Sequence, residues 1–397
     1  MANDEILKIP ARDSLGRLLG QCGKFPVIGN PAARLQRVRR KRFLAEIKGT
    51  AHQRHVRAVL RHEAGRDLQT ALTRWLASPA IGSSEFPRFT ARPDRFRCSV
   101  VINTVDRSRD LAITLADLEP GWDPVRDELI IVLGPTGDDS EDIVHRSKLQ
   151  PVLVRCPERN LACSRNLGLE AATGRFVAFI DDDASPEPAW LDELLAPFDV
   201  DPAIGVTSGF ALDGEGRRFL NRYVVADLLG QSWWFHDESA ASRCIMAAPN
   251  QRRFLTATGC NMAFRRSTLG KIGGFDPFYR YFLEETDAVL RLLQAGHRCV
   301  PAPGSMVRHR LGANIARTPD FSPEQRTTII RSQLHYIESF ARGTVPADEI
   351  EAAIWRRILT DLEKIAWDGS IRPDPRRLAE YQESYAGSLR GLLGANL

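Results

Sequence analysis

The sequence predicts an α/β domain built on a mostly parallel sheet, with a helical extension on either side. Three observations carry this. Short apolar runs alternate with helix-period patterns between residues 98 and 183, as in strand–helix–strand units whose right-handed crossovers give a parallel sheet. One run, Phe176-Val-Ala-Phe-Ile180, is continuously apolar, as a strand covered by helices on both faces has to be. The flanking segments carry helical patterns instead. The chain therefore divides into a basic helical extension and linker at 1–90, an α/β domain at 91–320, and a helical extension at 321–397.

The 397 residues, 43% hydrophobic and 26% charged, suffice for one large core. No apolar run approaches the roughly 20 residues that span a bilayer, which excludes a membrane-spanning helix. Met1–Ile6 lacks the basic-then-apolar order of a signal peptide. Seven cysteines are scattered without a Cys-x-x-Cys pair, so reduced thiols in a cytoplasmic protein are expected, not a disulfide framework or a zinc site. The net charge of +4 is uneven: residues 1–90 carry roughly +10 and the remainder is slightly acidic.

In chain order, 31–48 reads as a helix with Arg34, Arg37, Arg39, Arg40, Lys41 and Arg42 among apolar residues, and Gly49 ends it. A second helical pattern covers 55–75, with Leu68, Leu72 and Trp75 on its apolar side. The simplest role for the basic face is a solvated surface packed on the main domain. The functional alternative is peripheral contact with an anionic membrane. Nucleic acid is disfavoured, because aromatic residues are sparse among the basic ones. Residues 78–93, with three prolines, read as a linker.

The domain then opens with a strand at 98–102 and a polar turn, Asn103 to Arg107. A helix at 110–118 places Leu111, Leu115 and Leu118 on one side, a strand follows at 128–133, a short helix at 140–148, and a strand at 151–154. A helix at 163–172 stops before Gly174, in the position after a helix that favours glycine. Beyond the central strand the pattern is less regular, with strands at 204–209 and 258–264 around a mixed stretch holding Trp233, Trp234 and His236. A helix at 284–295 closes at Gly296, and a short strand-like stretch leads to Val307–His309. Helical patterns at 324–340, 347–366 and 376–393 make up the C-terminal extension.

The central strand runs into Asp181, Asp182 and Asp183, at the carboxyl end where parallel sheets bind ligands. Three adjacent carboxylates need counter-charge, and Mg²⁺ or Mn²⁺ on hard oxygen ligands is the simplest source. A solvated Asp-rich turn is the plain alternative.

Several ordered segments resemble those of the family 2 glycosyltransferases. They are Ser99–Arg107, Glu128–Asp138, Arg159–Leu169, Phe179-Ile-Asp-Asp-Asp183, Gly259–Arg265, Gly273–Asp276 and Glu284-Glu-Thr-Asp287. The resemblance covers roughly residues 97–312 and none of either extension. It implies the Rossmann-like GT-A fold, a nucleotide-sugar donor, a divalent cation (Mn²⁺ or Mg²⁺) on the diphosphate, inversion at the anomeric carbon, and a glycan or lipid-linked acceptor of the kind used in polysaccharide biosynthesis. Residue by residue, it implies Asp183 and Asp181 as metal ligands with His309 as a third. Thr104, Asp106, Arg107, Arg165, Asn166, Asp181 and Asp182 fall on the donor side. Asn261 and Asp287 fall on the acceptor side. Glu285 is the general base, with Glu284 as the alternative. Apart from the resemblance, Trp233 and Trp234 offer faces that stack on sugar C–H surfaces, so they are read as acceptor-binding, with core packing the equal alternative. Leu133, Asp106 and Val105 depart from the residues usual in the family at their positions, which bears on the donor nucleotide.

Two rival readings differ in class. A nucleotidyltransferase on a related fold would want a glycine-rich loop after the first strand, and Asn103–Ser108 contains no glycine. A non-catalytic binding or scaffold protein would not need Asp181, Asp183 and Glu285 intact.

Overall fold

The computed structural model describes residues 63–78, 86–247, 253–310 and 323–366. The expected helices at 31–48 and 376–393, and the start of the 55–75 pattern, lie outside the described residues.

The elements in chain order are α1 (Glu63–Ala77), β1 (Phe96–Thr104), α2 (Ser108–Leu118), β2 (Asp127–Leu133), α3 (Ser140–Arg146), β3 (Val152–Arg155), α4 (Leu161–Ala171), β4 (Gly174–Ile180), β5 (Ala184–Pro186), α5 (Trp190–Val200), β6 (Ile204–Asp213), β7 (Phe219–Asn221), β8 (Tyr223–Ala226), β9 (Ser232–Phe235), α6 (Glu238–Met246), β10 (Phe254–Thr256), β11 (Asn261–Arg265), α7 (Arg266–Lys271), α8 (Glu284–Gln294), β12 (Arg298–His309), α9 (Pro323–Phe340) and α10 (Ala347–Ala366).

The main sheet has the order β3-β2-β1-β4-β11-β6-β12-β5, with β7 on β6. Its first half, β3 to β4, is parallel throughout, as the strand–helix alternation requires. The second half is mixed: β11 runs antiparallel between β4 and β6, β12 is parallel to β6, and β5 is antiparallel to β12. The apolar run Phe176–Ile180 is fully buried in β4, and Leu111, Leu115 and Leu118 of α2 cover one face of the sheet.

Three local expectations change. Gly174 does not close α4 in a left-handed turn; it begins β4, where a side chain would meet the Cys98–Ser99 backbone at 2.5 Å. The strand before His309 is far longer than its local signal, because Pro301, Pro303 and Gly304 sit at a register break between Pro301 and Met306. The mixed stretch around Trp233 and Trp234 is a second, antiparallel sheet, β10-β8-β9, packed with α6 around Tyr223, Val225 and Ala241.

The extensions are tied into the fold where they are described. Trp75 of α1 is buried and stacked by the Arg342 guanidinium, and Gln69 bonds Glu351 and Trp355 of α10. The end of the expected linker also packs on the domain: Phe86 lies beneath the Arg291 guanidinium, and Arg266 bonds the Arg92 carbonyl and Asp94. Among the described residues, no helix is long and apolar enough to cross a membrane.

Candidate active site

The three aspartates leave β4 at the carboxyl end of the parallel strands. Asp181 is part-exposed, whereas Asp182 and Asp183 are buried. Antiparallel pairing of β12 with β5 sets His309 opposite Ala184, and the Arg310 N–H donates to the Asp183 carbonyl at 2.9 Å. His309 Nε2 therefore lies 2.9 Å from Asp183 Oδ1 and 3.7 Å from Asp181 Oδ2. Ligand atoms of Asp181, Asp183 and His309 all fall within 4.8 Å of one another. Two carboxylates and an imidazole at this spacing fit a single divalent cation, and the imidazole suits Mn²⁺ better than Mg²⁺.

Part of the counter-charge expected for the triad comes from the protein. Arg107, in the turn after β1, reaches Asp183 at 2.6 Å, Asp182 at 3.4 Å and Asp110 at 3.1 Å. Burial would raise the Asp183 carboxyl, but His309 and Arg107 hold it well below the usual range. Burial also opposes protonation of His309, yet its contacts with Cys260, Asp183 and Asp181 push the imidazole up to about 11. Asp182 is turned inward: burial pushes its carboxyl up to about 7, and its carbonyl accepts from Thr114 at 2.6 Å and Arg310 at 3.3 Å. Thr104, at the buried end of β1, lies beside Asp182.

The turn holding Asp106 is pinned from the side of β2. Asp106 has a left-handed φ of 53°, and its carboxylate accepts from the Gly137 N–H at 2.9 Å, Thr136 and Arg159. Those bonds hold the Asp106 carboxyl below its ordinary value. The neighbouring Asp138 caps two segments, accepting from the Ser108 and Ser140 N–H groups at 2.8 and 3.0 Å.

The two glutamates at the start of α8 are not equivalent. Glu284 is buried, and its Oε1 accepts from Arg165 Nη1 at 2.8 Å. The Arg165 guanidinium lies over Phe275 and Phe179 and reaches the Gly259 carbonyl at 3.4 Å. Arg165 is thus committed to Glu284, not to the aspartate cluster or an open donor site. Glu285 is only half-buried, and burial together with the Glu284 carboxylate raises its carboxyl.

Several polar residues on the expected site list are spent on the frame. Asn166 is buried and makes a two-way clamp on Phe275, donating to its carbonyl at 2.7 Å and accepting from its N–H at 2.8 Å. Asn261 has no exposed surface; it accepts from the Trp190 indole at 2.8 Å and donates to the Phe210 and Ser305 carbonyls. Asp287 is buried, its Oδ2 accepting from both Nε and Nη2 of Arg291, which in turn donates to the Ile272 and Gly274 carbonyls. None of these three presents a side chain to an acceptor or donor. Trp233 and Trp234 are adjacent on β9 and so face opposite ways. Trp233 packs on the small sheet beneath Arg253, and Trp234 is 55% exposed, so they do not form one platform.

Sequence reasoning missed Tyr281. Partial burial, then the carboxylates of Glu284, Glu285, Asp181 and Asp183, push its phenol up to about 12. The aromatic run Phe278-Tyr-Arg-Tyr-Phe282 before the acidic helix was the available signal. A separate cavity of about 540 Å³ lies at the opposite, amino end of β1 and β4, lined by Arg97, Arg126, Arg175 and Asp192; Arg97 is already paired with Asp127 and Asp192 there.

Residues 99–273 match the family model described as Glycosyl transferase family 2. The match covers less than half of the chain. The match stops short of Glu284, Glu285 and His309. Among curated relatives, the chain is 29% identical over 183 residues to the pre-mycofactocin glycosyltransferase of Mycobacterium tuberculosis, covering 43% of this chain and 34% of that protein. It is 27% identical over 198 residues to the N-acetylglucosaminyl-diphospho-decaprenol L-rhamnosyltransferase of the same organism, covering 43% of this chain and 64% of that one. The alignment thus spans only about a third of the first relative's length. A solved mannosyltransferase from Pyrobaculum calidifontis, in complex with GDP-Man and Mn²⁺, is similar at a TM-score of 0.45 and 16% identity, over 84% of this chain and 96% of that one. The α/β architecture has a parallel half ending in the aspartate triad and a mixed half that returns His309 to it.

Proposed function

We propose that the chain transfers a sugar, with inversion, from a nucleotide-sugar donor to a hydroxyl of a glycan or lipid-linked acceptor. The observation that supports this best is the division of labour at the start of α8, in a chain whose residues 99–273 match family 2 and which carries a group able to hold a metal ion. Glu284 is consumed by Arg165, while Glu285 keeps a carboxyl of raised proton affinity. A carboxylate with raised proton affinity is suited to take a proton from an acceptor hydroxyl near neutral pH.

In this reading Glu285 accepts the hydroxyl proton as the hydroxyl oxygen bonds to the anomeric carbon. The bond from that carbon to the diphosphate oxygen breaks, and the nucleoside diphosphate leaves with the electron pair. Asp181, Asp183 and His309 would hold a divalent cation, Mn²⁺ in preference to Mg²⁺, which supplies electrostatic stabilisation of the departing diphosphate. Arg107 lies against the same carboxylates and adds positive charge at that point. We place Tyr281, whose phenol feels the carboxylates of both groups, beside the sugar.

A thermal-shift screen against UDP-, GDP-, dTDP- and CMP-sugars, with and without Mn²⁺, tests the donor half, because ligand binding to the folded state raises its apparent stability. A metal-dependent shift with one nucleotude class is the expected result, and no shift with any of them counts against it. Release of nucleoside diphosphate with p-nitrophenyl glycosides as acceptors then tests transfer. For the basic segment at 1–90 the functional alternative to a solvated face is peripheral contact with anionic membrane; on that alternative, co-sedimentation with phosphatidylserine vesicles that weakens with salt is expected, and salt-insensitive or absent binding overturns it.

A further inference from the structure

We infer that the C-terminal helices α9 and α10 hold Glu285 in its reactive orientation, with His335 of α9 as the principal positioning residue. The inference rests on the reading of Glu285 as the base.

The turn that delivers α8 is unusual. Phe282 and Leu283, the two residues before Glu284, have φ of 74° and 73°. Residues with side chains rarely adopt this left-handed conformation, and two in succession persist only when their surroundings fix them. The turn also determines where Glu284 and Glu285 leave the chain, since Leu283 is the residue that caps α8.

One side of the preceding loop is held by α4: Asn160 donates to the Pro277 carbonyl at 2.8 Å, and the Leu161 N–H donates to the Arg280 carbonyl at 3.0 Å. The other side is held by α9. Ser332 Oγ donates to the Tyr281 carbonyl at 3.0 Å. His335 Nε2 lies 2.8 Å from Asp276 Oδ2, while Asp276 Oδ1 accepts from the Phe278 N–H at 2.9 Å. The His335 imidazole is also stacked on Phe278, with ring centres 3.8 Å apart, and meets the edge of Tyr279 at 5.2 Å. Imidazole, carboxylate and two aromatic rings thus lock the start of the loop, while Ser332 ties its end.

A second grip comes through the β8–β9 turn. Gln333 donates to the Leu229 carbonyl at 2.8 Å, and Gly230, at φ 68°, is so close to Leu283 that a side chain there would meet Leu283 Cδ1 at 3.0 Å. From α10, Arg357 lies over the Phe282 ring at 5.2 Å and donates to Gln333 at 3.0 Å. The appended helices therefore touch the residues on which the left-handed turn depends.

The test uses the full chain and four variants: His335→Ala, His335→Gln, Glu285→Gln and the Glu285→Gln/His335→Ala double variant. The assay is Mn²⁺-dependent nucleoside diphosphate release from the UDP-, GDP- and dTDP-sugar panel with p-nitrophenyl glycosides, alongside amide hydrogen exchange without ligand. His335→Ala is expected to lower kcat roughly ten- to hundredfold, the scale of a small misplacement of a reacting group, with donor KM unchanged. Exchange should rise at 279–287 while β1, β2 and β4 stay protected. His335→Gln, whose amide can still donate to Asp276, should recover most of the rate. The double variant should be no slower than Glu285→Gln alone, since misplacing a group that no longer takes a proton costs nothing further.

A multiplicative loss in the double variant, an unchanged kcat in His335→Ala, or a loss shared with donor binding would overturn the positioning role. Near-normal turnover of Glu285→Gln alone would instead overturn the base assignment, and the inference with it. If His335→Ala does not fold, Ser332→Ala, which removes a single bond to the Tyr281 carbonyl, carries the same pattern at smaller size.

Discussion

Arg165 and Glu284 form an interior ion pair at 2.8 Å, and it decides which of two adjacent glutamates remains to react. A buried guanidinium deprived of its carboxylate, or the reverse, leaves an uncompensated charge. Arg165→Met or Glu284→Gln should therefore cost about 3–5 kcal/mol of stability, read as a lowered urea midpoint. A cost within experimental error of zero would mean that the pair is not what fixes Glu284.

Glu285→Gln should leave Mn²⁺-dependent donor binding intact and remove transfer by roughly 10²–10⁴-fold, the usual contribution of a general base. Calorimetry and product release separate the two effects. Glu284→Gln should instead show its loss in both stability and rate.

The pH profile follows from the same carboxyl. Glu285 acts when ionised, and its proton affinity is raised above the ordinary value of 4.5. It keeps its proton at pH values where an ordinary glutamate has lost it, so transfer rises with pH through a limb displaced above 4.5. Measured kcat against pH should show that limb in the native chain and not in Glu285→Gln.

Asp183→Ala removes the ligand shared by His309 and Arg107. Donor binding in calorimetry should then lose its dependence on Mn²⁺. Equal Mn²⁺ dependence in the variant would move the cation elsewhere.

The two tryptophans of β9 should separate by face. Trp234→Ala, on the exposed side, should raise acceptor KM with no change in donor binding. Trp233→Ala, on the packed side, should lower the melting temperature.

What was legible in the sequence was local. The apolar run of β4, its aspartates, the helix beginning at Glu284 and the helices α9 and α10 each carry their signal within a few residues. The family resemblance assigns Asn166 and Asn261 to the ligands. Their partners, Phe275 and the Phe210 and Ser305 carbonyls, are distant in sequence, so their commitment to the frame was hidden. The same distance concealed Arg165 from Glu284 and His335 from Asp276. The strand β12 was obscured differently, by the proline and glycine residues at its own register break.

That strand has a consequence for assembly. His309 and Asp183 are separated by 126 positions, and they meet when β12 pairs with β5 and β6. Contacts of such separation are slow to form, since a long loop has to close before they add any stability. A chain in which β1 to β4 have come together still has two of the three residues of the proposed cation site and no imidazole. On the proposed cation site, gain of Mn²⁺ binding during refolding would be a clock for the docking of the last sheet strand, readable separately from the burial of the core.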